Sequence, residues 1–143
     1  MTQDMLQKAK SLIVKHESYR QFPYLDTTGH TTIGFGHNLD ANGMSMPIAL
    51  KQLDEDIDYW CMQLSHKLPF FDDLCEARQV VLIDMAHNLG LRGLFEFHEM
   101  LAALERKDYV SAAQAMLDSR WSFQVGHRAI EDISIMKTGE INV

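Results

Sequence analysis

Met5, Leu6, Ala9, Leu12 and Ile13 recur at the spacing of one helix face, so the hydrophobic pattern predicts a first helix over residues 3 to 17. From Phe22 to Asp40 the texture changes to Thr, Ile, Phe, Tyr and Gly, with apolar Ile33 and Phe35 alternating against Gly34 and Gly36. That alternation predicts a small sheet. Asp26 to Gly29 supplies the turn between two of its strands, because Asp can bond neighbouring backbone and Gly tolerates positive φ. Ser45 is placed to cap the next helix, and Pro47 suits its first turn, where the missing N–H is not needed. Ala49, Leu53, Ile57, Trp60, Cys61 and Leu64 then share a face, and Leu68 to Phe71 with Pro69 ends the run. Ala77, Val80, Val81, Met85 and Leu89 trace the most apolar helix of the chain, up to a stop at Gly90. Phe97, Met100, Leu101 and Leu104 mark a shorter helix. Asp108 can cap another, with Ala112, Ala113, Met116 and Leu117 as its buried side. The remainder, SRWSFQVGHRAIEDISIMKTG, reads as a short helix or two and a frayed end. One helix, a compact sheet and then helices indicate an α+β domain with its strands segregated in one part.

A chain of 143 residues is enough for one domain, and 46% hydrophobic with 23% charged residues can form a real core. Thirteen Lys and Arg against twenty Asp and Glu give a net charge of -7, which lacks the electrostatic footprint of a duplex nucleic-acid binder. The apolar residues never approach the roughly 18 to 20 consecutive ones that a membrane span needs. MTQDMLQKAKSLIVKHE mixes charge with apolar residues instead of showing a secretory signal, so synthesis in a cytoplasm is the expectation. Cys61 and Cys75 are too few for a disulfide framework or a structural zinc site, and both read as reduced, small core fillers. His16, His30 and His37 cluster in sequence without metal-ligand spacing, and neither a G-x-S-x-G elbow nor a Cys–His signature occurs. No metal and no cofactor are expected.

The carboxylates offer the chemistry. Glu17 ends the first helix and Asp26 follows nine residues later in the hairpin, so a short connection can fold both toward one cleft. Hydrolysis of a glycosidic bond needs such a pair, one carboxylic acid to protonate the leaving oxygen and one carboxylate to help water or attack directly. A helix-end acid packed near Tyr19, Phe22 or Tyr24 would be desolvated and retain its proton, whereas a turn Asp stays wet and ionised.

The whole string HESYRQFPYLDTTGHTTIGFGH goes further. It resembles the phage lysozyme family, the endolysins similar to the lysozyme of T-even phages, also called glycoside hydrolase family 24. There a helix ends in a glutamate, an aspartate follows nine residues on, and six more lead to a threonine and Ile-Gly-x-Gly-His. The matching residues are Glu17, Asp26, Thr32 and Ile33-Gly34-Phe35-Gly36-His37. SRWSFQVGHRA is similar to a second family stretch through Ser119, Arg120, Trp121, Gln124, Arg128 and Ala129, and IDMAHNLG to the family's core helix.

This resemblance implies a monomeric, two-lobed, lysozyme-like domain over residues 1 to 143. A small antiparallel sheet lobe would lie at about 18–45, a mostly helical lobe at 1–17 and 60–143, and a linking helix at about 46–65. It implies Glu17 as general acid, Asp26 as base or nucleophile and Thr32 as holder of the attacking water. Arg128 would reach Glu17 and orient it, and His37 would support the site or serve structurally, paired with a carboxylate. Asn38, His87, Asn88, Met100 and Ala115 fall at substrate-contact positions, although core packing is the ordinary role of a Met on a helical stripe. The implied partner is the glycan strand of bacterial peptidoglycan, cut at the β-1,4 link between N-acetylmuramic acid and N-acetylglucosamine. Neither nucleic acid nor stable membrane insertion is involved. Action on the wall follows release from a host cytoplasm, by way of a holin for an endolysin, and a tail-associated lysozyme is the other route.

Three departures stand out. Ser18 occupies a position where glycine is usual, the stretch from Asp40 to Pro47 is short, and the net charge is acidic where such lysozymes are commonly basic. A protein of the same sign as the wall loses electrostatic steering, which implies weaker, more salt-tolerant attachment or delivery by another component. The rival readings are an inactive wall-binding or phage structural module that keeps the fold, and a lytic transglycosylase that forms an anhydro end.

Overall fold

The computed structural model describes residues 1–141. The chain forms two compact units, Met1–Lys51 and Gln52–Val143. In the first unit, α1 runs over Gln3–His16, and the Thr2 hydroxyl accepts the Met5 N–H at 3.1 Å as its N-cap. It ends where Glu17 turns extended. The predicted helix is present, but Met5, Leu6, Leu12 and Ile13 are exposed and no α1 residue is buried.

The sheet is antiparallel, with β1 (Arg20–Leu25), β2 (Thr31–Gly34) and β3 (His37–Asn38) in that order. Thr32 on the central strand faces Tyr24 on one side and Asn38 on the other. Pro23 falls in the irregular step between the Arg20–Gly34 and Tyr24–Thr32 pairs, on an edge strand, where a missing N–H leaves no gap in a central ladder. The alternation read as strand through Phe35 stops one residue earlier. Gly34 (φ 69°) and Gly36 (φ 75°) take the left-handed conformation that reverses the chain around Phe35, and Ile33 then pairs with His37. A short α2 (Leu39–Asn42) follows. The long α3 (Met46–Lys67) begins directly after Ser45 with Pro47 in its first turn, and the boundary between the units falls inside it.

The second unit continues with a 3₁₀ turn at Phe71–Asp73, then α4 (Glu76–Phe95), α5 (His98–Glu105), α6 (Tyr109–Leu117), α7 (Arg120–Val125) and α8 (His127–Thr138). Its core gathers Leu64, Phe71, Val81, Leu82, Met85, Leu94, Leu104, Met116 and Met136, all buried. Gly90 kinks α4 at φ 74° instead of ending it, and the helix resumes so that Leu94 reaches the core. Val80 and Leu117 are exposed, so the buried faces of α4 and α6 are narrower than the hydrophobic pattern implies. Cys61 and Cys75 are exposed too and do not fill the core. Asp108 caps α6 as expected, its carboxylate accepting the Ser111 N–H at 3.1 Å.

The stretch read as a frayed end is helical through Thr138. Met136 is fully buried, and Gly139 closes α8 in the left-handed conformation. Arg78 of α4 holds this end, its Nε donating to the Met136 carbonyl at 2.7 Å and a terminal nitrogen to the Lys137 carbonyl at 3.2 Å. Its guanidinium carbon lies 3.6 Å from the centre of the Tyr109 ring. One planar cation thereby satisfies orphan carbonyls of α8 and stacks on the start of α6. Arg78→Ala should lower stability by about 2 kcal/mol, the worth of charge-assisted hydrogen bonds plus the stacked contact. Arg78→Lys, which lacks the fork, should recover less than half of it in urea denaturation.

Candidate active site

The first unit holds the predicted acid, carboxylate and threonine on consecutive pieces of chain. Glu17 leaves α1 with its N–H still donating to the Ile13 carbonyl at 2.7 Å. Its carboxyl lies against Gly36: a Cβ there would stand 2.9 Å from Glu17 Cδ and 3.1 Å from each carboxyl oxygen. Gly36 is thus required twice, for its positive φ and for the close approach of the acid. The expected enclosure of Glu17 by aromatic rings is not found, since Glu17, Tyr19 and Phe22 are all exposed.

Asp26 is held by the turn it starts. Its Oδ1 accepts the Thr28 N–H at 2.9 Å, the Thr28 hydroxyl at 2.8 Å and the His30 N–H at 2.9 Å. Its own N–H donates to the His30 carbonyl at 2.9 Å. The His30 N–H and the Thr28 hydroxyl hold this carboxyl below the usual carboxylate range, against a smaller upward push from burial. Thr32, only 2% exposed, donates its hydroxyl proton to the same His30 carbonyl at 2.9 Å. The one carbonyl ties Asp26 and Thr32 together. His37 donates Nε2–H to the Gly43 carbonyl, a backbone partner where a carboxylate was expected. Asn38 caps α2, its Oδ1 accepting the Ala41 N–H at 3.0 Å.

The second unit holds the remaining predicted residues. His87 and Asn88 are exposed on α4 just before the Gly90 kink, and each accepts from a tryptophan indole. Trp60 Nε1 donates to His87 Nδ1 at 3.1 Å, and Trp121 Nε1 to Asn88 Oδ1 at 2.7 Å. An indole can only donate, so His87 carries its proton on Nε2 when neutral. Met100 is fully buried and Ala115 half-buried, and both border a cavity of about 600 Å³ with Phe97, Trp121 and Gln124.

Arg128 forks onto Asp84, its Nε donating to Oδ2 at 3.0 Å and a terminal nitrogen to Oδ1 and, at 3.3 Å, to the Asp84 carbonyl. Beside this pair Asp132 is 6% exposed, and its Oδ2 has no hydrogen-bond partner among the described residues. Burial, with the hydrogen bond and charge of Asp84, pushes the Asp132 carboxyl up to about 8 against the pull of Arg128. Burial alone would raise Asp84 as well, but hydrogen bonds from Arg128 and Asp132 hold it below its ordinary value. The two shifts together are those of a protonated Asp132 beside an ionised Asp84. Sequence reasoning missed both aspartates. Asp84 was the one legible signal, as the lone acid inside the most apolar helix, RQVVLIDMAHNLG.

The phage lysozyme family model matches residues 14–134. The chain belongs to the phage lysozyme family. Two relatives from Dictyostelium discoideum, "Probable T4-type lysozyme 1" and "Probable T4-type lysozyme 2", are 24% and 23% identical, each over 96% of this chain and 98% of their own length. The pre-baseplate central spike protein Gp5 of Enterobacteria phage T4 is 27% identical over 91% of this chain and 28% of its own. Membership supports a lysozyme, a glycoside hydrolase whose substrate is peptidoglycan. The helix-rich chain with its three-stranded antiparallel sheet agrees with the α+β fold of a phage-type lysozyme.

Two predictions follow from this geometry. At Gly34 an added Cβ meets nothing within 4 Å, so Gly34→Ala bears only the backbone penalty of positive φ, about 1 kcal/mol. Gly36→Ala bears the same penalty and also displaces the Glu17 carboxyl. Wall-clearing rates should fall at least tenfold further, by about 1.4 kcal/mol or more of barrier, for Gly36→Ala than for Gly34→Ala, with similar melting temperatures. The second concerns Asp132. Unfolded, it loses its proton near 3.8, and folded only near 8, so ionisation opposes folding increasingly as pH climbs through that window. Asp132→Asn, which cannot ionise, should gain stability over the parent as pH rises from 4 to 8, by at least about 1 kcal/mol at the upper end. Chemical denaturation across pH measures it.

Proposed function

We propose that the chain is a lysozyme that hydrolyses the β-1,4 bond between N-acetylmuramic acid and N-acetylglucosamine, with the whole chain acting as one catalytic domain. Glu17 gives its proton to the glycosidic oxygen as the bond to the anomeric carbon breaks and the electron pair leaves with that oxygen. Water bonds to the anomeric carbon, its proton passes to Asp26, and Thr32 orients it through a hydroxyl whose own proton is committed to the His30 carbonyl. Two carboxyl groups and one water balance the reaction, so no cofactor enters it. Asp26 acting through water corresponds to inversion at the anomeric carbon.

The observation that carries this reading is the unequal state of the two oxygens of Asp26. Oδ1 is filled by three donors, so the carboxylate is held ionised with Oδ2 left to take a proton. An acid on the neighbouring helix end, seated against a glycine that leaves room for it, supplies the complementary group. Asn38, His87, Asn88, Met100 and Ala115 are proposed glycan contacts, and Arg128 and His37 supports of the site. For His87, the Nε2–H that Trp60 leaves free suits a sugar hydroxyl. Monomeric action on the wall after holin-dependent release, or delivery on a larger particle in the manner that the likeness to a spike protein allows, completes the proposal.

Purified peptidoglycan should yield reducing N-acetylmuramic acid ends. Glu17→Gln should reduce that rate by roughly 10²- to 10⁴-fold, the usual contribution of a general acid, without loss of folding. Equal clearing by parent and variant would remove Glu17 from the mechanism, no clearing by the parent would leave the inactive wall-binding module as the reading, and anhydro ends would indicate a transglycosylase. Proton NMR of the first-formed anomer tests inversion.

A further inference from the structure

We propose that Thr28 and His30 are positioning residues that lock the Asp26 carboxylate through a hydrogen-bonded relay, His30 Nδ1–H to Thr28 Oγ and Thr28 Oγ–H to Asp26 Oδ1. The proposal rests on the lysozyme reading for its catalytic consequence. Neither residue belongs to the motif that carries the family resemblance.

The argument is one of proton counting. The Thr28 hydroxyl lies 2.8 Å from Asp26 Oδ1 and 2.7 Å from His30 Nδ1, and it has a single hydrogen to give. A carboxylate oxygen only accepts, so that hydrogen belongs to Asp26. At 2.7 Å, Thr28 Oγ must then accept from His30 Nδ1–H, because two bare acceptors at that distance repel. The imidazole is thereby fixed with its proton on Nδ1 and Nε2 free, and a doubly protonated ring satisfies the same bond. The two backbone N–H groups of the turn also end on Oδ1, so this oxygen has no room for a further proton. Rotation of the carboxylate is blocked, and Oδ2 is the oxygen presented to water. The side chains of Asp26 and His30 are 32% and 49% exposed, so water and glycan reach both. His30 Nδ1 stands 3.8 Å from Asp26 Oδ1, and the Asp40 carboxylate accepts the neighbouring Thr31 N–H at 2.7 Å.

The relay predicts a specific pattern of losses. Thr28→Val should lower kcat about tenfold, the worth of one hydrogen bond to a charged group, with KM within about twofold of the parent. Thr28→Ser, which keeps the hydroxyl, should restore kcat. His30→Asn, whose amide can place a donor near the Nδ1 position, should keep more of kcat than His30→Ala. All four are compared below their melting transitions, so unfolding does not enter the rates. Independently of activity, ¹⁵N NMR of the folded parent, taken at a pH where the ring is neutral, should find the His30 proton on Nδ1 with Nε2 bare. A Thr28→Val variant with the parent's kcat, a loss that serine does not repair, or an imidazole bare at Nδ1 would overturn the relay. A parent that releases no reducing ends overturns the lysozyme reading and the catalytic half of this proposal, while the tautomer still decides whether the hydrogen bonds exist.

Discussion

Backbone groups in the tight turn from Asp26 to His30 have no strand to pair with, and an amide left without an acceptor is expensive wherever water is partly excluded. The chain meets this constraint with one carboxylate, whose Oδ1 collects the Thr28 and His30 N–H groups. The return bond, Asp26 N–H to the His30 carbonyl, closes the turn and starts β2, which brings Thr32 to the centre of the sheet. Folding and the proposed chemistry therefore draw on the same side chain. Asparagine is the natural probe of Asp26, since its amide oxygen can still close the turn while the proposed base is lost. A change to alanine would mix the two effects.

The helical unit solves a different problem, the burial of charge on α4 and α8. Arg128 and Asp84 satisfy each other as a planar fork, and such a fork is worth retaining only when its remaining lone pairs are met. Asp132, buried beside this half-buried pair and held protonated, leaves two carboxyl groups and one guanidinium with a net charge near zero. The tryptophans apply the same rule to uncharged groups: each indole N–H in this unit ends on a side chain of α4, His87 or Asn88. The face that the family resemblance assigns to glycan contact is consequently pre-oriented by hydrogen bonds from below.

Much of this was legible in the sequence. Helix periodicity gave α1, α3, α5 and α6 to within a few residues and the start of α4, though not its continuation past Gly90, and Asp26 to Gly29 was read as a turn because Asp and Gly have definite uses there. The glutamate and aspartate were singled out by their nine-residue interval and the threonine by the resemblance to the phage lysozyme family, both of which the chain carries locally. What could not be read depends on contacts between distant positions. Phe35 continued an alternating pattern, and only the backbone of Gly34 and Gly36 makes it a turn residue. The end of the chain looked frayed since nothing near it in sequence holds it, whereas Arg78, some sixty positions earlier, does so by hydrogen bonds to Met136 and Lys137. Asp84 and Asp132 escaped for the same reason. Cys61 and Cys75 followed the habit of their residue type and not their place on the helix, and both are on the surface.

The acidic balance of the chain connects these local solutions. With twenty acids and thirteen Lys and Arg, most carboxylates cannot each have a cation, and the structure turns to other donors. Asp26 and Asp40 use backbone N–H groups, Asp72 takes both of its contacts from the Ser65 hydroxyl, Asp108 relies on Ser111, and Asp132 uses a proton. Hydrogen bonds from neutral donors do not weaken as ions screen charge, whereas surface ion pairs do. They do depend on which groups hold protons. In a protein assembled in this way these carboxylates respond to pH more than to ionic strength. For the proposed function the same balance matters at the substrate: an anionic wall would give no attraction at long range to a chain of net charge -7, and recognition would fall to short, directed bonds made after contact.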